Sequence, residues 1–503
     1  MKRIGAGVRE MRACGILLPV SSLPSPYGIG CFSREALEWI DFLKKSGQKY
    51  WQILPLGPVS YGDSPYQSFS TFAGNPLYIS LEGLVVEGLL SREECEAAEL
   101  DDGSGYVDYG CQFRRRYQLL YQAYARSGCQ QEERYQAFCR DSRSWLEDYA
   151  LFMALKEEND WKSFTEWSED LRLRRPEALR KARARLEDRV EFYCYLQYLF
   201  DQQWSQVRRY ANENGIRVIG DIPIYVSMDS ADVWTRPELF QLDENRRPKA
   251  VAGCPPDAFS ADGQLWGNPL YDWEAHRKES YRWWLDRIRH CAKLYDVVRI
   301  DHFRGFDSYY SIPYGDETAR NGSWEPGPGM ELFRFVKKEI PELAIIAEDL
   351  GFMTDSVRQL VRDSGYPNMK VLQFAFGSDA RNEYLPFWYE RNCVVYTGTH
   401  DNETLLQHIE AAGEQEKNRI REYTGLADGD DSALCEGVIR MAFASVADTC
   451  IIPMQDYLQI GAEGRMNYPS TLGGNNWKWR MKKADLTEER SARIRHLTEL
   501  YAR

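Results

Sequence analysis

Apolar residues gather along the chain in short runs, separated by stretches with a helical period. The first run, Cys14-Gly15-Ile16-Leu17-Leu18-Pro19, predicts a buried strand, because it is brief, continuous and closed by a turn former. Ser33 then opens a helix with Leu37, Ile40 and Leu43 on one side and Gly47 at its exit, the order of cap, stripe and stop that ends helices. A second run, Tyr50-Trp51-Gln52-Ile53-Leu54, stops at Pro55. The alternation returns later. Ile216–Val226, Val297–Asp301, Leu343–Gly351, Lys370–Phe374, Cys393–Asn402 and Cys450–Asp456 predict six more strands with their exits. Helical patterns lie between them, as in Tyr281–Leu294, Thr354–Ser364 and Asp431–Ala447, and Leu486–Ala502 closes the chain. Eight strands alternating with helices predict a (β/α)8 barrel. A doubly wound sheet is the alternative, disfavoured because polar residues end nearly every strand.

The stretch from Leu77 to Glu191 reads differently: poor in Pro, rich in Glu, Arg, Leu and Tyr. It predicts helices, such as Gln112–Arg126 and an interrupted Pro176–Leu199, without the fixed period of a repeat array. The expected organisation is therefore a barrel start over 13–56 with strands one and two, a loop plus largely helical insertion over 57–198, and the remaining strands over 199–503. No separate C-terminal β domain is expected. The loop Tyr61–Pro76 holds two Gly, two Pro and the rings of Tyr61, Tyr66, Phe69 and Phe72. It is a candidate substrate shelf or a plug for the barrel top.

Composition narrows the function. The 503 residues are 43% hydrophobic and 28% charged, ordinary for a globular chain. Aromatic content is 13%, with 15 Trp and 31 Tyr, which suits sugar faces as well as a large core. A net charge of −13 argues against nucleic acid and anionic membranes as partners, since both need basic patches. Met1–Glu10 lacks the apolar core of a signal peptide, and no apolar run reaches membrane-spanning length. The 12 Cys are scattered, without C-x-x-C or metal-type spacing, so reduced thiols in a cytoplasm are expected.

Candidate chemistry collects at strand ends. Val297-Val298-Arg299-Ile300-Asp301-His302-Phe303-Arg304 turns from apolar to charged within a few residues. Arg299 and Asp301 are two apart, so on a strand they point the same way. Asp221, Asp301, Glu348, Asp401 and Asp456 all fall at or just past strand ends, and a barrel brings those ends to one catalytic face. For any single acid, a salt bridge or a loop cap is the plain alternative. Crowded acids raise at least one pKa, which yields the proton donor and ionised nucleophile of retaining glycoside chemistry, set about 5–5.5 Å apart. A metal is not expected: His302 and His400 each adjoin an acid, a strand would point them away from it, and no H-E-x-x-H spacing occurs. Neither a phosphate-binding G-x-x-x-x-G-K-[ST] loop nor a G-x-S-x-G elbow is present.

These residues carry a resemblance. Arg299-Ile300-Asp301-His302, the strand ending in Glu348, and Thr399-His400-Asp401 resemble the signatures of the α-amylase superfamily. Gly62-Asp63-Ser64-Pro65-Tyr66-Gln67, Gly220-Asp221-Ile222-Pro223-Ile224-Tyr225-Val226, Pro255-Pro256-Asp257-Ala258-Phe259-Ser260, Gly263-Gln264-Leu265-Trp266-Gly267-Asn268-Pro269 and Arg465-Met466-Asn467 resemble the 4-α-glucanotransferase family, also called amylomaltase or disproportionating enzyme. The resemblance runs from about Gly15 to about Arg480. It implies segment transfer among maltooligosaccharides and α-1,4-glucans by a retaining double displacement, without cofactor. By resemblance, Asp301 is the nucleophile, Glu348 the general acid and base, and Asp401 the stabiliser of the distorted sugar. Arg299 orients Asp301, and His302 and His400 bond sugar hydroxyls. Asp221, Ser64, Tyr66, Asp257, Gln264, Trp266 and Asn467 serve the sugar subsites, a loop around Gly253–Asp262 covers the chains, and Tyr61 makes a secondary glucan contact. Ser470 stands where Gly is common in that family. A glucan hydrolase on the same scaffold and a non-catalytic glucan-binding protein are the alternatives.

Overall fold

The computed structural model describes residues 12–60, 62–256 and 260–503. Eight short parallel strands form one sheet: Ala13–Leu17, Tyr50–Gln52, Arg217–Pro223, Val297–Asp301, Ala344–Ala347, Asn368–Val371, Cys393–Tyr396 and Thr449–Pro453. They are called barrel strands one to eight below. Each pairs with its successor in the chain except at one seam, and strand eight pairs with strand one from Ala13↔Thr449 to Leu17↔Pro453. Strands five and six share no ladder. There the Ala347 N–H reaches the Pro367 carbonyl at 3.0 Å, and the Asp349 carboxylate accepts from the Met369 N–H at 3.0 Å and the Asn368 amide at 3.1 Å. A side chain thus satisfies backbone that the ladder leaves unpaired, as buried amides require. The architecture is a (β/α)8 barrel, and the doubly wound alternative falls away.

Alternation along the strands fills two cores. Leu17, Ile219, Val297, Ile346, Met369, Val371, Val394, Tyr396 and Ile451 form one buried cluster, the barrel interior. The residues between them, such as Ile16, Val218, Val298, Ile300, Ile345 and Val395, join the larger cluster under the outer helices. Each fully buried aliphatic contributes about 1.5–3 kcal/mol. Gly220 on strand three has no room for a side chain, because a Cβ there would stand 2.2 Å from the Tyr295 ring.

The insertion is helical, with Tyr117–Ser127, Glu133–Asp141, Arg143–Glu158 and Pro176–Arg185 among its elements. The interruption expected within Pro176–Leu199 lies at Leu186. A new helix of 27 residues then runs from Glu187 to Glu213. It packs on Arg143–Glu158, with Arg189 and Tyr193 of its first half on Glu157. Its second half is fastened to the barrel by Trp204 Nε1 to the Leu294 carbonyl at 3.0 Å and by Arg208 to Asp296 at 2.7 Å. The boundary expected between 198 and 199 falls inside this helix.

One element was not anticipated. Ala250–Cys254, Gln264–Pro269, Ser308–Pro313 and Ser323–Pro326 form a four-stranded antiparallel sheet, built from the excursions after barrel strands three and four. Among the described residues, no helix is long and apolar enough to cross a membrane.

Candidate active site

The C-terminal ends of the strands open into a cavity of about 2540 Å³, well above the ~300–1,000 Å³ of a small-ligand pocket. Strand four supplies its floor. Its alternation sends Val297, Arg299 and Asp301 inward, and the register sets Arg299 opposite Asp221 and Asp301 opposite Pro223 on strand three. Arg299, 3% exposed, is shared between two acids: it meets Asp301 Oδ1 at 2.9 Å and both oxygens of Asp221 at 2.7 and 2.8 Å. Its Nε points at Met369 Sδ, 3.4 Å away. Burial opposes the guanidinium charge, but Asp221 and Asp301 outweigh it and hold its pKa well above the ordinary value. Asp221 is 0% exposed and does not line the cavity. It also accepts from the Tyr66 hydroxyl at 2.9 Å. Its place is beneath the floor, where it bonds Arg299 and Tyr66.

The chain leaves strand four abruptly. His302 has φ +53°, a left-handed turn that aims its own N–H at Glu348 Oε2, 2.7 Å away. The Leu350 N–H reaches Glu348 Oε1, also at 2.7 Å. Glu348 is placed by the ladder continuing past the strand ends, with its N–H on the Ile300 carbonyl at 3.1 Å and its own carbonyl receiving the Phe303 N–H at 3.0 Å. Burial pushes the Glu348 carboxyl up to about 8, the Asp301 charge adds to that, and Arg299 and the two N–H groups only partly offset it. Burial also raises Asp301, but Arg299 beside it holds the rise to about 6. The cation at 2.9 Å favours the ionised form of Asp301, and Glu348, raised by burial and by the Asp301 charge, is the readier of the two to hold a proton. His302 is neutral, its pKa pushed down by burial to about 3. Its Nε2 has no partner among the described residues, and the Trp266 ring stands perpendicular to it at 4.9 Å.

Asp401 lies beyond strand seven, which ends at Tyr396. The Asn402 side chain closes a turn on the Thr399 N–H and hydroxyl, both at 2.9 Å. His400 Nε2 meets Asp401 Oδ2 at 3.2 Å, and the Asn467 amide donates to Asp401 Oδ1 at 2.7 Å. Burial disfavours the Asp401 charge, yet His400 and Asn467 win and hold it well below the carboxylate range. The expectation that His400 points away from its acid fails, because strand alternation has already ended there. Tyr66 stacks on His400 with centroids 5.1 Å apart, and Trp477 packs against both rings at 5.7 and 5.9 Å.

Of the five rim acids, Asp456 is the loop cap. It is 2% exposed and does not line the cavity. It accepts from the Thr397 hydroxyl at 2.5 Å and from the N–H of Leu405, the first residue of helix Leu405–Ala411. Ser64, Tyr66, Gln264, Trp266, His302, His400 and Asn467 all line the cavity with Arg299, Asp301, Glu348 and Asp401. Trp266 belongs to a strand of the small sheet, and its Nε1 donates to Gln264 Oε1 at 3.0 Å. Tyr61 and Asp257 lie outside the described residues, as does the tip of the expected covering loop. Among the described residues no group of three His, Cys, Asp or Glu is arranged to hold a metal ion. Trp477 was missed by sequence reasoning. Its only signal is the turn-forming Gly473-Gly474-Asn475-Asn476 before it, and it adopts φ +67°.

Comparison with known proteins agrees with this geometry. The family model described as 4-alpha-glucanotransferase matches residues 18–487. A 4-alpha-glucanotransferase of Clostridium butyricum is 48% identical over 96% of this chain and 99% of its own length. One from Aquifex aeolicus is 45% identical over 98% of this chain and the whole of its own. The solved structure of an amylomaltase from Streptococcus agalactiae in complex with acarbose aligns with a TM-score of 0.94 at 42% identity, covering 98% of this chain and 99% of that one.

Proposed function

We propose, for a chain that belongs to the 4-alpha-glucanotransferase family, that its glucan transfer runs through Asp301 and Glu348 as a retaining double displacement. The observation that carries this reading is the opposed setting of the two acids. Asp301 sits on Arg299 at 2.9 Å and stays ionised, while Glu348, pushed up to about 8, keeps its proton at neutral pH. In the first step an Asp301 oxygen attacks the anomeric carbon as Glu348 protonates the leaving glycosidic oxygen. In the second, the 4-OH of an acceptor glucan gives its proton to the Glu348 carboxylate and displaces Asp301, so the anomeric configuration is retained. Asp401, held ionised by His400 and Asn467, offsets the positive charge of the oxocarbenium-like transition state, a preorganised electrostatic role.

The cavity residues Ser64, Tyr66, Gln264, Trp266, His302, His400 and Asn467 bind sugar in this reading. His302 Nε2, otherwise without a partner among the described residues, takes a hydroxyl. By family resemblance Asp257 and Tyr61 also contact glucan. The substrates are maltooligosaccharides and longer α-1,4-glucans, a reading supported by the acarbose held in the Streptococcus agalactiae relative. The scattered Cys, without C-x-x-C spacing, fit a cytoplasmic site of action.

Incubation with maltotriose alone tests the mechanism. Free glucose and longer oligomers at constant reducing ends establish transfer, and Asp301→Asn abolishes it. Rising reducing ends without longer products identify a hydrolase. Glucan binding without turnover, or transfer surviving in Asp301→Asn, overturns the assignment.

A further inference from the structure

The cavity extends far beyond the catalytic acids, and one wall belongs to the helical insertion. Helix Tyr117–Ser127 presents Tyr117, Gln118, Tyr121 and Gln122 to it. Ring and amide recur at a spacing of four, which stacks them one turn apart on one face. Trp161 lines the same cavity. It is 43% exposed, whereas its neighbours Trp167 and Trp234 are 3% and 1% exposed.

Trp161 is held in place at a cost. Asp160 and Trp161 have φ +54° and +62° in succession, a left-handed conformation that a bulky residue adopts only where its surroundings impose it. The imposing group is Lys156, whose side chain is 1% exposed. Its ammonium donates to the Trp161 carbonyl at 2.7 Å, to the Lys162 carbonyl at 2.8 Å and to Asp229 in the loop after strand three. The Trp161 N–H returns to the Lys156 carbonyl at 2.7 Å. The Phe69 ring backs the indole at 6.3 Å and also lies 5.3 Å from the Lys156 ammonium. A buried charge is expensive unless fully bonded, and this one is bonded so as to fix a strained turn. The product of that arrangement is an indole that is not buried but turned to the cavity.

We propose that Trp161 is a stacking platform for a distal segment of α-1,4-glucan, with Gln118 and Gln122 on helix Tyr117–Ser127 of the same cavity serving hydroxyl edges. The proposal rests on the glucanotransferase reading of the central site. A flat apolar ring flanked by amides matches a chain of pyranoses, whose faces are apolar and whose edges are hydroxylated. Continuity with the cavity that holds Asp301 and Glu348 makes the occupant the far end of a long substrate. The platform is therefore engaged by long chains and left untouched by the shortest ones.

The experiment compares donors in the full-length protein. The ratio of kcat/KM for long-chain amylose, with glucose as acceptor, to kcat/KM for maltotriose is measured in the wild type, Trp161→Ala and Trp161→Phe. The expected result is a roughly tenfold fall of that ratio in Trp161→Ala, carried by KM for amylose, with substantial recovery in Trp161→Phe. An unaltered ratio in a variant with wild-type melting overturns the platform. An equal fall on both donors also overturns it, since the ring then only supports the central site. Direct binding separates this from failure of the central reading. In the Asp301→Asn background, amylose affinity falls on adding Trp161→Ala if the platform exists, whatever the wild type catalyses, and equal affinities overturn it.

Discussion

The two sides of the cavity floor hold their acids by different means. Over strands three to five, Asp221, Arg299 and Asp301 are locked by sheet register, two of them being direct cross-strand partners, and Glu348 is held by two backbone N–H groups. Over strand seven, Asp401 sits past the sheet in a turn. It is gripped by His400 beside it and by Asn467, 66 residues further on. The strand side is built by the barrel and sets a proton. The loop side is assembled from distant loops and sets a fixed negative charge. Changes on the strand side should therefore cost both chemistry and stability, and changes on the loop side chemistry alone.

The largest effect is expected at Glu348. Glu348→Gln keeps the shape but removes the transferable proton, so maltotriose disproportionation should fall by about 10³-fold or more, within the ~10²–10⁴ that general acid–base catalysis contributes and the higher demand of a poor leaving group. The same residue sets the pH profile. Activity requires Asp301 ionised and Glu348 protonated, so kcat/KM should rise through about pH 6 and fall through about pH 8. These limbs belong to the pair as a unit. A basic limb persisting unshifted in the residual activity of Glu348→Gln would assign that proton elsewhere.

Arg299→Met comes next and tests whether the strand side is structural as well as catalytic. It strands Asp221, 0% exposed, without its cation. Breaking a buried pair in this way costs about 3–5 kcal/mol, readable by urea unfolding, and transfer should drop by about 100-fold as Asp301 loses its orientation and its ionising partner. Loss of activity with wild-type stability would show that Asp221 finds other partners. On the loop side, Asn467→Ala removes one hydrogen bond to Asp401, whose side chain is 46% exposed, so water replaces the lost donor and little stability goes with it. A ten- to hundredfold fall in kcat/KM is expected with an unfolding midpoint near the wild type. A stability loss as large as that of Arg299→Met would erase the distinction between the two sides.

The same division explains what the sequence made legible. Arg299 and Asp301 were readable because a period of two needs nothing but a strand. Glu348 was readable as a rim acid because it directly follows an apolar strand, and it does line the cavity. The reading failed where that period was carried past the last ladder bond, as at His400, whose imidazole turns onto Asp401. It also failed to separate Asp456 from the other acids, since a helix cap and a rim acid leave the same mark after a strand. The small antiparallel sheet escaped because Ala250–Cys254 is mostly small residues and Gln264–Pro269 carries Gly and Asn, so neither alternates. The long helix Glu187–Glu213 hid the end of the insertion: Tyr198 and Leu199 are buried on one continuous element, with no break in pattern to mark a boundary. Asn467 came from family resemblance alone, for no local periodicity distinguishes a loop amide that reaches across the cavity.

The smallest effect concerns the loop that follows Asn467. Ser470 has φ +63°, the left-handed region where a Cβ costs about 1–2 kcal/mol. Ser470→Gly relieves that strain, but gives back about 0.4–1 kcal/mol through a more flexible unfolded chain. The net gain should be under about 1 kcal/mol, an upward shift of roughly 1–2 °C in a melting experiment. Asn467 precedes the strained residue, and the loop is separately tied by the Tyr468 N–H to Asn476 Oδ1 at 3.0 Å. Transfer should accordingly stay within about twofold, far below the 1.4 kcal/mol that a tenfold change represents. A larger loss of transfer at unchanged melting would show that the turn at Ser470 governs the Asn467 grip on Asp401. The loop side would then be tuned by backbone conformation, a control that the register-locked strand side does not offer.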